Sequence, residues 1–170
     1  MTQCIAEPTS RKKIRENAKI IRLLDGSEGE MFFDIVHFLE VRLYQLDPTF
    51  NFRVMPMGVM GECHGLTFPD RNEIQIREDV YQRACDGSGR DRMTMAHELG
   101  HLLYHEKQNI SYARFEGESN IPTYRNPEWQ ADVFGGELLM PYHLIKGKTV
   151  EQVVRECKVS PNAAMCQLGK

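Results

Sequence analysis

The segment TMAHELGHLLYHE at residues 94–106 holds two histidines four positions apart, with a glutamate directly after the first. These residues are His97, Glu98 and His101, in the pattern H-E-x-x-H. On a helix, side chains at positions i and i+4 lie on one face, roughly 6 Å apart, so both imidazoles can approach a single ion. The spacing predicts a helix over about residues 92–107 that presents two metal-binding nitrogens.

Zinc is the ion that this pattern favours, with manganese as the alternative, because zinc takes imidazole nitrogens in a tetrahedral site. A catalytic zinc site keeps one position for water, and Glu98 can reach that water without occupying a coordination position. The pattern therefore indicates a ligand pair plus a general base. The competing interpretation is a solvated helix face that carries two surface histidines.

A site with two histidines needs a third protein ligand, and the downstream segment NPEWQADVF supplies Glu128. Asp132 follows four residues later on the same face of a predicted helix, where it can hydrogen-bond the far nitrogen of a ligand histidine. His105 repeats the i+4 spacing, but it lies about 12 Å along the helix axis from His97, too far to share one tetrahedral ion. We interpret His105 as a residue at the rim of the site or behind its ligands.

Composition indicates an ordinary globular chain. It has 170 residues, a formal net charge of -3, 41% apolar and 26% charged residues, which gives no nucleic-acid signal. No apolar run approaches the roughly 18 residues of a membrane span, and MTQCIAEPTSRKK does not resemble a secretory signal. The five cysteines are odd in number and form no C-x-x-C pair, so we expect a reducing, cytoplasmic location.

The rest of the chain predicts an α+β fold in which a small, mostly antiparallel sheet packs on helices. Helices are expected after the N-cap Ser10 and over residues 31–46. Three extended pieces follow, FRVMPM, GVMGECHGLTF and NEIQI, of which the last two form a hairpin around Pro69-Asp70. The long connection at residues 108–126 is predicted to be functional or mobile. Pro127 begins the next helix and Pro141 ends it.

Two stretches carry a resemblance to a known family, RMTMAHELGHLLYHE and PEWQADVFGGELLMP. Together they resemble the ImmA/IrrE family of bacterial metallopeptidases, which pairs H-E-x-x-H with a helix of the form E-x-x-A-(N or D)-x-F-(A or G)-x-x-L-L-M-P. The resemblance covers about residues 54–145. It departs from the family at Gly135-Gly136, where alanines are more usual, and at the bulky Trp129.

The resemblance implies a zincin-like fold of the kind whose third ligand is glutamate. It makes His97, His101 and Glu128 the zinc ligands and Glu98 the general base. It also implies a zinc endopeptidase of narrow specificity that cleaves a helix-turn-helix repressor, and so induces mobile-element, stress or defence genes. The alternative is a non-catalytic regulator or antitoxin that binds a repressor and holds zinc structurally.

We expect residues 1–146 to form the metallopeptidase domain and residues 147–170 to form a C-terminal helical pair. The pair resembles the start of a helix-turn-helix, which allows contact with DNA or with a repressor. We favour packing on the catalytic core, because the second helix is short and nearly uncharged.

Two further roles are assigned to candidates from the sequence. A donor should steady the oxyanion of the reaction, and four side chains are candidates for it: Tyr104, Tyr124, Tyr142 and His143. Cys63 falls on the predicted strand GECHGLTF beside the motif helix. A thiolate there can reach the open position of the zinc and hold the enzyme inactive, whereas the ordinary role of such a cysteine is a small hydrophobe.

Overall fold

The computed structural model describes residues 3–105, 110–113 and 121–169 and has the expected α+β architecture. The helices are α1 Arg11–Asp25, α2 Ile35–His37, α3 Leu43–Leu46, α4 Met57–Met60, α5 Glu78–Cys85, α6 Gly89–Tyr104, α7 Pro127–Leu139, α8 Tyr142–Ile145, α9 Val150–Cys157 and α10 Pro161–Leu168. The strands are β1 Gln3–Ala6, β2 Asn51–Met55, β3 Gly65–Phe68, β4 Glu73–Arg77 and β5 Ile110–Ala113.

The sheet beside α6 is mixed and has the strand order β2-β4-β3. Strand β4 pairs parallel with β2 and antiparallel with β3. The predicted hairpin is confirmed, and it turns through a 3-10 helix at Pro69–Arg71 with Asn72 in the left-handed region at φ 48. Ile74 and Ile76 of β4 are fully buried, so the central strand anchors the sheet in the core.

The prediction of one strand over GVMGECHGLTF is wrong in its first half. Residues Met57–Met60 form the helical turn α4, and pairing with β4 begins only at Gly65. Pro56 at the start of this turn and Gly61 at its end, with φ 57, favour a turn over an extended chain. Cys63 and His64 therefore precede the edge strand and do not belong to it.

The second predicted helix begins later than expected and is interrupted. Asp34 caps it by accepting a hydrogen bond from the His37 amide at 3.1 Å. A π-helical segment, Phe38–Arg42, then separates α2 from α3. The wider turn leaves Phe38 and Leu39, adjacent in sequence, both fully buried.

Helix α1 packs on α7 and is capped by Ser10 as predicted, with the Ser10 hydroxyl accepting from the Lys13 amide at 3.2 Å. The Arg15 guanidinium forms a bidentate pair with the buried carboxylate of Glu137, at 2.9 and 3.0 Å. This pair fixes the first helix to the helix that carries Glu128 and Asp132.

A second sheet was not predicted. It pairs β1 antiparallel with β5, from Gln3 opposite Ala113 to Ala6 opposite Ile110. Each strand has four residues, and the two strands are more than a hundred positions apart. No local sequence pattern therefore predicts that they pair. Residues 106–109 and 114–120 are not described, so the prediction for the connection at residues 108–126 lies largely outside the described residues.

Helix α10 packs against α7 and α8, and α9 packs against α10. Val153, Cys157, Val159 and Ala164 are buried in the same hydrophobic cluster as the rest of the core. A division of the chain at residue 146 stays a prediction. Within the described residues, no helix has the length and apolar character to cross a membrane.

Candidate metal centre

Close packing of α6 on α7 brings the two sequence motifs together. Helix α6 begins at Gly89, three residues before its predicted start, because the Ser88 side chain caps it by accepting from the Asp91 amide at 3.4 Å. A Cβ atom on Gly100 would lie 2.9 Å from the Ala131 Cα atom, so the glycine permits a backbone approach that a side chain would block. The helices therefore meet along the face that carries His97 and His101.

Three predicted ligands converge on one point. The ligand atoms of His97, His101 and Glu128 all lie within 4.8 Å of one another. The Glu128 oxygens are 3.3 Å from His97 Nε2 and 3.4 Å from His101 Nε2. Atoms held about 2.0–2.1 Å from a tetrahedral zinc are about 3.3–3.4 Å apart, so this donor set fits the ion. The two Nε2 atoms are closer, at 2.9 Å.

Asp132 supports His97. His97 Nδ1 donates to the Asp132 carboxylate at 2.7 Å, which leaves Nε2 facing Glu128. Burial opposes a charge on the ring, but the hydrogen bonds with Asp132 and Glu128 outweigh it and raise the pKa of His97 to about 10. The His101 and His97 rings beside it hold the pKa of the Glu128 carboxyl well below its usual range.

A different group supports His101. Its Nδ1 lies 2.8 Å from Nδ1 of His105, and His105 Nε2 lies 3.0 Å from the Gln130 side-chain oxygen. His105 is only 3% exposed, and burial lowers its pKa to about 4. The structure thus places His105 behind His101. Gln130 was not identified from the sequence; it lies on the buried side of α7, between the exposed Glu128 and Asp132 in the chain.

Glu98 lies against the edge strand β3. The Thr67 hydroxyl donates to the Glu98 carboxylate at 2.5 Å and is 3.0 Å from the Glu98 backbone oxygen. A Cβ on Gly65 would lie 2.6 Å from Glu98 Cγ, so the missing side chain makes room for the glutamate. Neither Thr67 nor Gly65 was identified from the sequence, because their role depends on how the strand meets α6.

Two cavities meet at Glu98. One of about 450 Å³, here the Ser160 cavity, is lined among others by His64, Arg90 and Ser160. The other, of about 370 Å³, here the Glu128 cavity, extends past Glu128. Three residues line both cavities: Gly65, His97 and Glu98. An extended ligand can therefore occupy both sides of the convergence point at once.

The role of the four candidates for the oxyanion donor stays a prediction. The Tyr104 hydroxyl accepts from the Asn17 amide at 2.8 Å, and the Arg15 guanidinium lies 4.8 Å from the centre of the Tyr142 ring. Tyr124 and His143 are exposed. None of the four lines either cavity.

Cys63 has an exposed thiol and also lies outside the lining of both cavities. The thiol switch stays a prediction.

Comparison with known families agrees with this geometry. The chain matches the IrrE N-terminal-like domain of peptidase family M78 over residues 52–164. The match spans more than half of the chain and includes α6 and α7, so the chain belongs to this family of metallopeptidases, hydrolases that act on peptide bonds. No curated protein matches the chain.

Proposed function

We propose that the chain is a zinc-dependent endopeptidase of narrow specificity that cleaves a helix-turn-helix transcriptional repressor. The main support for peptidase chemistry is the site geometry. His97, His101 and Glu128 converge beside Glu98, where two cavities meet. Two imidazoles and one carboxylate form a donor set that zinc accepts, with manganese as the alternative metal.

His97, His101 and Glu128 would hold the ion, and Asp132 would orient the His97 ring. A zinc ion held there would supply Lewis acidity toward the scissile carbonyl and the attacking water. Glu98 acts as the general base: its carboxylate takes a proton from the attacking water and then delivers it to the leaving amine. The Thr67 hydroxyl holds this carboxylate at the junction of the cavities.

The edge strand β3 supplies a docking line for an extended peptide. The Arg77 amide donates to the His64 carbonyl at 3.0 Å, so residues 64 and 77 form a hydrogen-bonded pair. Such pairs alternate along an antiparallel ladder, and the amide and carbonyl groups of Gly65 and Thr67 therefore point away from β4. Strand addition here would lay a substrate across Glu98.

The repressor substrate is inferred from the ImmA/IrrE resemblance, because members of that family cut such repressors. The test is a cleavage assay with purified protein, zinc or manganese, and the helix-turn-helix repressor encoded nearest its gene. Glu98→Gln is the matched control, since the amide keeps the size of the side chain but cannot accept the proton. Fragments are identified by mass spectrometry.

Discrete fragments from the wild type, and none from Glu98→Gln, are the expected result and locate the cut. Equal cleavage by both proteins would contradict the assigned base. An intact repressor that co-elutes with the protein in both samples would contradict cleavage and favour a regulator that binds without cutting.

A further inference from the structure

We propose that His105 and Gln130 are positioning residues that hold the His101 ring in the tautomer able to bind metal, with two backbone carbonyls as the fixed reference. The inference rests on the proposed role of His101 as a ligand. Four links carry it, from backbone oxygens to Gln130, from Gln130 to His105, from His105 to His101, and from His101 to the convergence point.

The orientation of the Gln130 amide is forced by its neighbours. Its Nε2 lies 2.8 Å from the Glu7 carbonyl oxygen and 2.8 Å from the Tyr124 carbonyl oxygen. Both partners accept and neither can donate, so the group between them is the amide NH2. The Gln130 Oε1 atom must then face His105, and it accepts a hydrogen bond from His105 Nε2 at 3.0 Å.

This bond places the proton of His105 on Nε2. Its two ring nitrogens hydrogen-bond the Gln130 amide and the His101 ring, and among the described residues neither nitrogen meets a carboxylate; the residue is also buried. A neutral imidazole carries one proton, so Nδ1 of His105 is an acceptor. It accepts from His101 Nδ1 at 2.8 Å, which places the His101 proton on Nδ1.

His101 Nε2 is consequently left with its lone pair directed at the convergence point, 3.4 Å from a Glu128 oxygen and 2.9 Å from His97 Nε2. A metal needs that lone pair, and the opposite tautomer would present a hydrogen instead. Backbone carbonyls can only accept hydrogen bonds. The donor and the acceptor are therefore fixed in each bond from Gln130 through His105 to His101.

The reference carbonyls are themselves held in place. The Tyr124 carbonyl also accepts from the Thr9 amide at 3.1 Å, and the Arg125 guanidinium reaches the Ala6 carbonyl at 3.4 Å. Residues 6–9 are thus attached to the 3-10 turn Thr123–Arg125 that precedes α7. The order of the N-terminal segment thereby contributes to the geometry of a metal ligand on α6.

The test is the tautomer of His101 in the metal-free protein, measured by nitrogen-15 NMR of the imidazole rings at pH 8. The wild type should show the Nδ1–H form. His105→Phe, which has no acceptor, should lose that preference and weaken zinc binding roughly 10- to 100-fold. His105→Asn, whose side-chain oxygen can replace Nδ1 as acceptor, should restore both to within about threefold.

Gln130→Leu provides a second variant in case the phenylalanine disturbs folding, and it should shift the tautomer in the same direction. His37→Phe, at an exposed histidine outside this series, should change neither readout. An Nε2–H form of His101 in the wild type would overturn the proposal, as would unchanged zinc affinity in a folded His105→Phe. Both readouts are independent of peptide cleavage, so they separate this proposal from the proposed function.

Discussion

His97 and His101 point their Nε2 atoms at the same place, yet they are supported in opposite ways. Behind His97 is a carboxylate, and the Asp132 side chain is 70% exposed. Behind His101 is a neutral imidazole that is buried and joined to the core through Gln130. One support is charged and solvated, and the other is uncharged and built into the interior.

The difference has a chemical consequence for each ring. A carboxylate partner attracts a second proton to His97, which the metal must displace. A neutral partner fixes the His101 proton without adding charge, so its lone pair is ready beforehand. The site thus combines a ligand that must lose a proton, His97, with a ligand whose lone pair is already free, His101. The residues that support each ring can be mutated separately.

The largest effect is expected at Glu98, which lies between the two histidines and belongs to neither support. Glu98→Gln should reduce turnover by roughly 10²- to 10⁴-fold, because the base is lost. Zinc affinity should stay within about threefold of the wild type, since the ligands are untouched. Cleavage rates and calorimetric zinc titration measure the two quantities. A large loss of zinc would show that Glu98 belongs to the metal set.

Asp132→Asn removes the charged support and leaves the buried one. The ring of His97 keeps a weaker acceptor, so zinc affinity at pH 8 should fall roughly 10- to 100-fold. The His101 tautomer should not change, which NMR can check in the same sample. A simultaneous change at His101 would show that the two supports are coupled.

Zinc binding should release a proton from His97. Its pKa in the metal-free protein is about 10, above the ordinary value of 6.5, so the ring is protonated at pH 7. Zinc affinity should therefore rise with pH up to about 10, about tenfold per unit for one displaced proton. The same sign applies to folding without metal: the stabilisation by His97 is complete below pH 6.5 and is lost as pH rises through 10.

Calorimetry in buffers of different ionisation enthalpy counts these protons directly. Asp132→Asn should flatten the dependence, because the carboxylate that raises the pKa of His97 is gone. A wild-type affinity that is constant from pH 7 to 9 would contradict the charged state of His97.

The smallest effect is expected at Thr67, which contacts the base and neither histidine support. Thr67→Val removes the hydroxyl that donates to Glu98 and should lower turnover about five- to tenfold, which is within the net value of a typical intramolecular hydrogen bond. Thr67→Ser keeps the hydroxyl and is the matched control. Equal losses in both variants would assign the effect to packing of β3 and not to the bond.

The charged half of this site could be predicted from the sequence, whereas of the buried half only the general position of His105 could be. His97, Glu128 and Asp132 follow from i+4 spacing on two helices, whose existence is signalled by periodicity and by Pro127 and Pro141. No spacing pattern identifies Gln130, because its role depends on hydrogen bonds to the Glu7 and Tyr124 carbonyls that form only in the folded chain.

The same distinction holds across the fold. The hairpin at β3 and β4 and the C-terminal helices have local turn and cap residues, and both were predicted. The pairing of β1 with β5 joins segments more than a hundred positions apart, and it was not predicted. The start of β3 was misplaced because the α4 turn resembles an extended apolar run in sequence.

X-ray absorption at the zinc edge of the loaded protein is the most direct measurement of the central claim, that His105 supports a ligand and does not act as one. We predict two imidazoles and a carboxylate oxygen at about 2.0–2.1 Å, with the imidazole count unchanged in His105→Asn. A third imidazole that disappears in that variant would contradict the claim.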